Sequence, residues 1–389
     1  MDFELSEEHA AFRASIRSFV DAEIRPVARV WELSGRYPTE IVETMKGLGL
    51  FGLTVPEEHA GLGADTVTLA IAFEEISRGW MGVAGILGTH TLACATLARY
   101  GTDDQRNAYL PGLASGERRS GVALTEPGAG SDLQGISTRA IRAGEGYVLR
   151  GTKTWITNAR HADPLLVLAK TDPAADPPHA GMSLFLVDGG TQGLRVSRDL
   201  PKLGYRGPES CEVVLDDVRV PEGNLLGGEE GLGFKQIARG LEIGRINIAA
   251  RAVGVAQDAF DRAIAYARER EAFGRPIGDF QAIQLKLADM ATEIQAARLL
   301  TWWAAWRYDA GHRADLEAGM AKYFASEVAL RSALESMRVH GGYGYSEELE
   351  VARLYRDAPL MAIGEGTNEI QRTLIARRLL KDYSGGGLL

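Results

Sequence analysis

Cysteine is scarce. Cys94 and Cys211 are the only two in 389 residues, far apart and each set among apolar neighbours. That count and spacing exclude a disulfide framework and a thiolate metal site, and both residues are expected as reduced core thiols. The seven histidines (His9, His59, His90, His161, His179, His312 and His340) include no pair at the i, i+4 spacing with which one helix face grips a metal, so no metal is expected. Basic charge is also in deficit. Lys and Arg number 43 against 52 Asp and Glu, and the net charge of −9 opposes a nucleic-acid partner, which needs a Lys/Arg-rich face. No uninterrupted apolar run approaches the roughly 20 residues of a membrane span. The acidic start Met1-Asp2-Phe3-Glu4-Leu5-Ser6-Glu7-Glu8 lacks the basic lead and apolar core of a secretory signal. These absences leave a small-molecule enzyme, expected in the cytoplasm.

What is present is ample apolar material, 45% of the chain, enough for two or three units of ordinary domain size. From Ser6 to about Leu113 apolar residues recur at helical spacing, as in Phe12, Ile16, Phe19 and Val20, with breaks at Pro26, Pro38, Pro56 and Gly61-Leu62-Gly63. Between about Ser120 and Gly228 the character changes to short β-branched and aromatic runs, among them Leu165–Leu168, Met182–Val187 and Cys211–Leu215, separated by Gly, Pro and Asp. Long amphipathic runs rich in Ala, Leu, Arg and Glu return beyond Gly228, interrupted at Phe273–Pro276, Ala310-Gly311, Gly341–Gly344 and Gly364–Gly366. The expected fold class is α+β and multidomain. It comprises an N-terminal α-helical domain (1–118), a middle antiparallel β-barrel domain (119–228) and a C-terminal helical bundle (229–389) of four or five helices, a four-helix bundle at its core. Only the tail Ser384-Gly385-Gly386-Gly387 reads as disordered.

Two segments draw attention chemically. Leu124-Thr125-Glu126-Pro127-Gly128-Ala129-Gly130-Ser131-Asp132 has the glycines that let backbone N–H groups approach a ligand. It is not a dinucleotide fingerprint, because the third glycine would fall at Leu133 and no βαβ context surrounds it. Taken alone it reads more readily as a structural loop. Gly151-Thr152-Lys153-Thr154-Trp155-Ile156-Thr157-Asn158-Ala159 is a strand with Thr and Trp on one face, suited to a flat cofactor ring or equally to a sheet core.

Together with Arg270-Glu271-Ala272-Phe273-Gly274-Arg275-Pro276-Ile277 and Gln281, His340-Gly341-Gly342-Tyr343-Gly344-Tyr345, and Glu365-Gly366-Thr367-Asn368-Glu369-Ile370-Gln371-Arg372, these segments resemble the acyl-CoA dehydrogenase family over almost the whole chain. The resemblance implies an FAD cofactor, with Leu124, Thr125, Trp155 and Thr157 against the isoalloxazine ring and Ser131 facing the CoA arm. It implies a homotetramer in which Arg270, Phe273 and Gln281 hold the adenine and pyrophosphate of a neighbouring subunit's FAD. Guanidinium to phosphate is sound chemistry for that role. Gly342 maps to a loop close to the same dinucleotide, and the chain carries Arg338 where the family often has Gln. Thr367 and Glu369 map to further flavin contacts, although Asn368 with Gln371 also has capping-box spacing.

The resemblance makes Glu365 the base that removes the α-proton of an acyl-CoA thioester, with the β-hydrogen leaving as hydride to the flavin and an electron-transferring flavoprotein as acceptor. Flanking Gly364 and Gly366 place Glu365 in a mobile, close-approach turn, whereas an ordinary surface Glu would be solvated. In some relatives the base stands on an earlier helix before an arginine. Here that stretch reads Leu241-Glu242-Ile243-Gly244-Arg245, and Gly244 cannot serve. Glu242 and Arg245 are expected to meet CoA or orient substrate, or else to form a surface ion pair. Gly364 stands where many relatives have Tyr, which favours a branched, cyclic or otherwise bulky acyl group. No arginine occurs in Trp80-Met81-Gly82-Val83-Ala84 to meet a second substrate carboxylate, which argues against a dicarboxylic acyl chain. Alternatives on the same fold are an enoyl-thioester reductase, an acyl-CoA oxidase or an acyl-carrier-protein dehydrogenase, and from another class a catalytically silent scaffold.

Overall fold

The structure, a computed structural model, describes residues 4–382. The Gly-rich tail at 384–387 lies outside the described residues. Helix α1 (Glu7–Phe19) begins at Ser6, whose side chain accepts from His9 N–H, and passes through a π turn at Val20–Ile24 directly into α2 (Arg25–Ser34). The break expected at Pro26 is not observed: the helical run continues past it, and the π turn just before it is where the chain departs from α geometry. Helices α3 (Thr39–Gly47), α4 (Thr66–Tyr100) and α5 (Asp103–Ala114) complete the first region, and a Thr102–Gln105 capping box starts α5.

The sequence reading is corrected at α4. This helix is long and apolar enough to cross a membrane by composition, but 83% of its apolar window is buried inside the protein. It is a core element, packed against α6 (Gly233–Glu269), and leaves helical geometry at Trp80. Gly254 of α6 lies so close to the Glu74 carbonyl of α4 that a Cβ there would come within 2.2 Å, which is why the two long helices need small residues where they meet.

Seven strands form the middle region: β1 (Arg119–Ala123), β2 (Arg139–Arg142), β3 (Gly146–Thr157), β4 (Ala162–Lys170), β5 (Met182–Val187), β6 (Leu194–Asp199) and β7 (Ser210–Pro221). Every one of them feeds a single apolar interior that includes Ala123, Tyr147, Leu149, Val167, Phe185, Val213 and Val218, so the sheet wraps on itself as a barrel must. Along β4 the period-two alternation sends Leu165 and Val167 inward, while Leu166 and Leu168 pack outward on Leu110 and Leu113 of α5. The expected wholly antiparallel pairing is not observed. β1 runs parallel to β4, with Gly121 opposite Leu165 and Ala123 opposite Val167, because the hairpin of β2 and β3 is threaded into the connection between them.

The last region holds α6, a small hairpin of β8 (Glu271–Ala272) and β9 (Arg275–Pro276), then α7 (Gln281–Asp309), α8 (Asp315–His340), α9 (Glu350–Ile363) and α10 (Asn368–Asp382). Buried Ala249, Ala252, Ala256, Ala318, Ala321, Ala325 and Ala329 let α6 and α8 approach closely. Both cysteines are buried and unpaired with one another.

Candidate active site

The turn between α9 and α10 carries Glu365 at φ 54°, in the left-handed region that a side chain with Cβ enters only under constraint. The constraint is visible. Lys322 of α8 donates to Ala362 O (3.1 Å), Gly366 O (2.8 Å) and Asn368 Oδ1 (2.9 Å), and Gln371 Nε2 donates to the carbonyls of Glu365 and Gly366 at 3.3 Å. The turn is braced, not mobile. Burial pushes the Lys322 ammonium down to about 8.

Glu365 is half-buried as a residue, but its Oε2 is shut from solvent and has no hydrogen-bond partner. The carboxylate rests directly on Gly244: a Cβ there would lie 1.9 Å from Oε2. Burial raises the Glu365 pKa to about 7, against the opposing charges of Arg251, Arg245 and Lys322. Gly244→Ala is accepted by the α6 backbone, so its cost falls on the carboxylate. It is expected to lower turnover by about one to two orders of magnitude with little change in Tm; turnover within twofold of the parent would show that the contact is idle.

Around this pair stand groups absent from the sequence expectation. Tyr205, at φ 55°, donates its backbone N–H to Asp357 Oδ1 at 2.7 Å, and its hydroxyl packs on Gly85. Arg251 of α6 reaches over the Tyr205 ring at 5.4 Å. The alternative reading of Glu242 and Arg245 as a surface ion pair is not observed. Glu242 is buried, pairs with Arg239 at 2.8 Å and accepts from Ala314 N–H at 3.2 Å, which ties α6 to the start of α8. Arg245 is buried with its Nε unpartnered.

At the barrel rim, Leu124 and Thr125 follow β1 and are fastened to β3: Lys153 Nζ donates to Leu124 O and Thr154 N–H to Thr125 O, both at 2.9 Å. Lys153 is fully buried and pairs with Glu126 at 2.9 Å. Burial takes Lys153 down to about 8, while Glu126 is held at about 2 because Lys153 and the Ser137 and Thr138 donors outweigh its own burial. A register shift between Lys153 and Ile156 re-aims Trp155, which sits at φ 61° with 57% of its surface exposed. Thr157 lies at the strand end and Ser131 is exposed on the loop.

A second cluster lies on the helical region. Arg270, Tyr266, His340, Gly341, Gly342 and Tyr343 line a cavity of about 520 Å³. Phe273, 96% exposed at φ 54°, tips the β8–β9 hairpin, and Gln281 is exposed at the start of α7. None of Leu124, Thr125, Trp155, Thr157 or Glu365 lines this cavity. The Arg338 side chain is engaged by Glu335 instead of facing it. Thr367, not Asn368, caps α10, its Oγ1 accepting from Ile370 N–H at 3.3 Å; Asn368 is buried on Lys322 and Ser326. Glu369 is exposed beside Thr367.

Sequence reasoning missed Lys322, Arg251, Tyr205 and the Lys153–Glu126 pair. A lone arginine inside Ile248-Ala249-Ala250-Arg251-Ala252-Val253 was a readable signal, because a charge among small core residues needs a reason.

The chain matches three family descriptions in order: acyl-CoA dehydrogenase N-terminal domain over residues 6–117, middle domain over 121–218 and C-terminal domain over 231–380. It is 45% identical to a probable acyl-CoA dehydrogenase, YngJ, of Bacillus subtilis (strain 168), across 98% of this chain and 100% of that protein. It is 39% identical to the caffeyl-CoA reductase–Etf complex subunit CarC of Acetobacterium woodii, across 97% and 99%. A glutaryl-coenzyme A dehydrogenase solved as its glutaryl-CoA complex superposes with a TM-score of 0.94 at 40% identity, covering 98% of this chain and 97% of that one. With its helix, sheet and helix order and a buried carboxylate at the junction, the chain belongs to the acyl-CoA dehydrogenase family and is an oxidoreductase acting on a CH–CH group.

Proposed function

We propose that this protein is an FAD-dependent dehydrogenase that introduces a Cα–Cβ double bond into an acyl-CoA thioester, with Glu365 as the base. The observation that carries the reading is the Glu365 carboxylate: buried, unpartnered at Oε2, seated on Gly244 and raised to about 7. A general base is most effective with a pKa near the working pH.

The surroundings fit FAD. Large rings stand exposed at Trp155, Phe273 and Tyr343, and a Cβ at Gly128, Gly341 or Gly342 would meet nothing within 4 Å, leaving room for close backbone approach. Leu124, Thr125, Trp155 and Thr157 would hold the isoalloxazine ring, with Thr367 and Glu369 beside it, and Ser131 would face the CoA arm. Arg270, Phe273, Gln281 and Gly342 lie in the separate cluster, which supports their serving the dinucleotide of a second copy within a homotetramer. Arg338, held by Glu335, has the weakest claim to that role. FAD bound there supplies the two-electron acceptor for the β-hydrogen.

The chain's own part is to exclude water, to take the α-proton onto Oε2 and to offer the Glu365 backbone N–H to the thioester oxygen as charge builds on it. Gly364, at φ −67°, has a backbone conformation open to any residue, but a Cβ there would be crowded by Leu360 O at 3.3 Å. The lack of a side chain beside the base, not a surrounding void, supports an acyl group bulky near Cα. An electron-transferring flavoprotein is the proposed acceptor, a reading supported by the Etf named in the Acetobacterium complex. The same relative makes enoyl-CoA reduction the second reading.

Anaerobic titration of the yellow protein with straight, branched and cyclic acyl-CoAs tests the proposal: saturated thioesters should bleach the visible flavin band. Bleaching by none of them, with flavin present, would transfer the assignment to reduction or to carrier-bound substrates. The pH dependence follows from the shift. Glu365 acts only when deprotonated, and its pKa stands raised to about 7. The bleaching rate at limiting substrate should therefore rise nearly tenfold per pH unit below 7 and level off above it. A flat profile from pH 5.5 upward would mean that the base titrates near its ordinary value.

A further inference from the structure

Four arginines with little exposed surface divide into two kinds. Arg298 is bonded to Glu74 and Arg353 to Glu350, each with a carboxylate at hydrogen-bonding distance. Arg245 and Arg251 form no ion pair among the described residues, and both stand on the Gly244 stretch of α6. Arg251 is seven residues, two helical turns, beyond Gly244 and therefore on the same face. It is 4% exposed. One guanidinium nitrogen donates to Met81 Sδ at 2.7 Å, the ring of Tyr205 lies 5.4 Å away, and Nε has no partner.

A guanidinium carries five donors and keeps its proton at any physiological pH; Glu365 and Asp357 act on this one from longer range, but against a thioether and a π face it has no carboxylate in contact with its donors. Such an arrangement is costly unless an anion arrives with a ligand. A second unpartnered donor, the buried Trp80 Nε1, belongs to the residue next to Met81, and Asn247 Oδ1 is unpartnered one turn back along α6. The unsatisfied groups thus gather where α6 meets the Trp80 turn of α4, on the stretch of α6 that carries the base's seat at Gly244, and none of them lines the Arg270 cavity. We propose that Arg251 reads a carboxylate at the far end of the acyl group, making short dicarboxylic acyl-CoA thioesters the preferred substrates, a claim that rests on the dehydrogenase reading above. A neutral chain end would leave the guanidinium Nε without a contacting acceptor, whereas a carboxylate matches the planar fork in two parallel hydrogen bonds. The chain is short because the Glu365 carboxylate rests on Gly244 and Arg251 stands only seven residues, roughly 10 Å of helix, further along the same face of α6. Arginine is indeed missing from 80–84, but α6 delivers one to Met81 from 170 residues away.

The test uses FAD-loaded Glu365→Gln enzyme, in which binding is separated from turnover, and compares glutaryl-CoA with pentanoyl-CoA, its neutral counterpart of equal length. Glutaryl-CoA should bind at least about tenfold tighter, and adding Arg251→Gln should erase that ratio while changing pentanoyl-CoA affinity by less than about threefold. Arg251→Lys, which keeps the charge, should retain part of the preference and serves if the Gln variant folds poorly. Equal affinities in the Arg251 enzyme, or a ratio unmoved by Arg251→Gln, would overturn the proposal. So would an equal loss of turnover on both thioesters in the single Arg251→Gln variant, measured above the pH midpoint that loss of this charge is expected to raise, since Arg251 would then serve the base and not the chain end. Bleaching by pentanoyl-CoA without preference defeats this inference alone. Bleaching by neither defeats the dehydrogenase reading, and the binding ratio still decides the role of Arg251.

Discussion

Glu365→Gln should lower the rate of flavin bleaching by roughly two to four orders of magnitude, the range over which a positioned general base contributes. Binding of saturated acyl-CoA should change little, because glutamine keeps the shape of the side chain that rests on Gly244. The same variant has a signature in stability. Folding raises the Glu365 pKa from 4.5 to about 7. Between those values the folded protein holds a proton that the unfolded chain has lost, so this group's contribution is fully present below 4.5 and is lost as pH rises through 7. Glutamine does not titrate. Its advantage over the parent should therefore grow from pH 5 to pH 8, to at most roughly 3 kcal/mol. Thermal unfolding at the two pH values checks the sign: an advantage that shrinks as pH rises would mean that the carboxylate is not buried as charged material.

Lys322→Met should lower kcat on the order of 100-fold with a smaller change in KM. The ammonium holds two carbonyls and Asn368 around the turn that presents Glu365, and loss of about 1 Å of placement has that scale of effect on catalysis. Lys322 is a positioning residue, and pH separates this role from a merely structural one. Its charge opposes the pKa rise of Glu365, so removing it should move the midpoint of the bleaching profile above 7. A fall in kcat with an unmoved midpoint would leave Lys322 as scaffold only. The variant should also be less stable, because buried carbonyls lose their donor.

The helix, sheet and helix order was legible because periods of 3.6 and 2 alternate cleanly along the chain, and Glu365 was legible because its flanking glycines and following motif are local. What escaped was set by distance in sequence. The parallel pairing of β1 with β4 depends on a hairpin inserted between them, and no local pattern records that. Lys322 meets its turn from 44 residues away and Arg251 meets Met81 from 170. The capping-box alternative at Asn368 gives way for a related reason: its spacing is real, but Lys322 and Ser326 claim the side chain, and Thr367 takes the cap. The apolar face of α4 was likewise readable only in context, since a core helix and a membrane span share composition and differ in what covers them.

The central claim is that Glu365 removes a proton from Cα of a saturated thioester. The most direct test is one anaerobic turnover of an acyl-CoA deuterated at Cα, followed by mass spectrometry of thioester and solvent, with the parent and with Glu365→Gln. The account predicts an enoyl product that has lost one α-hydrogen and one β-hydrogen, with α-deuterium released to water by the parent and almost none by the variant. Equal α-deuterium release by both proteins, or a thioester that gains hydrogen, would contradict it.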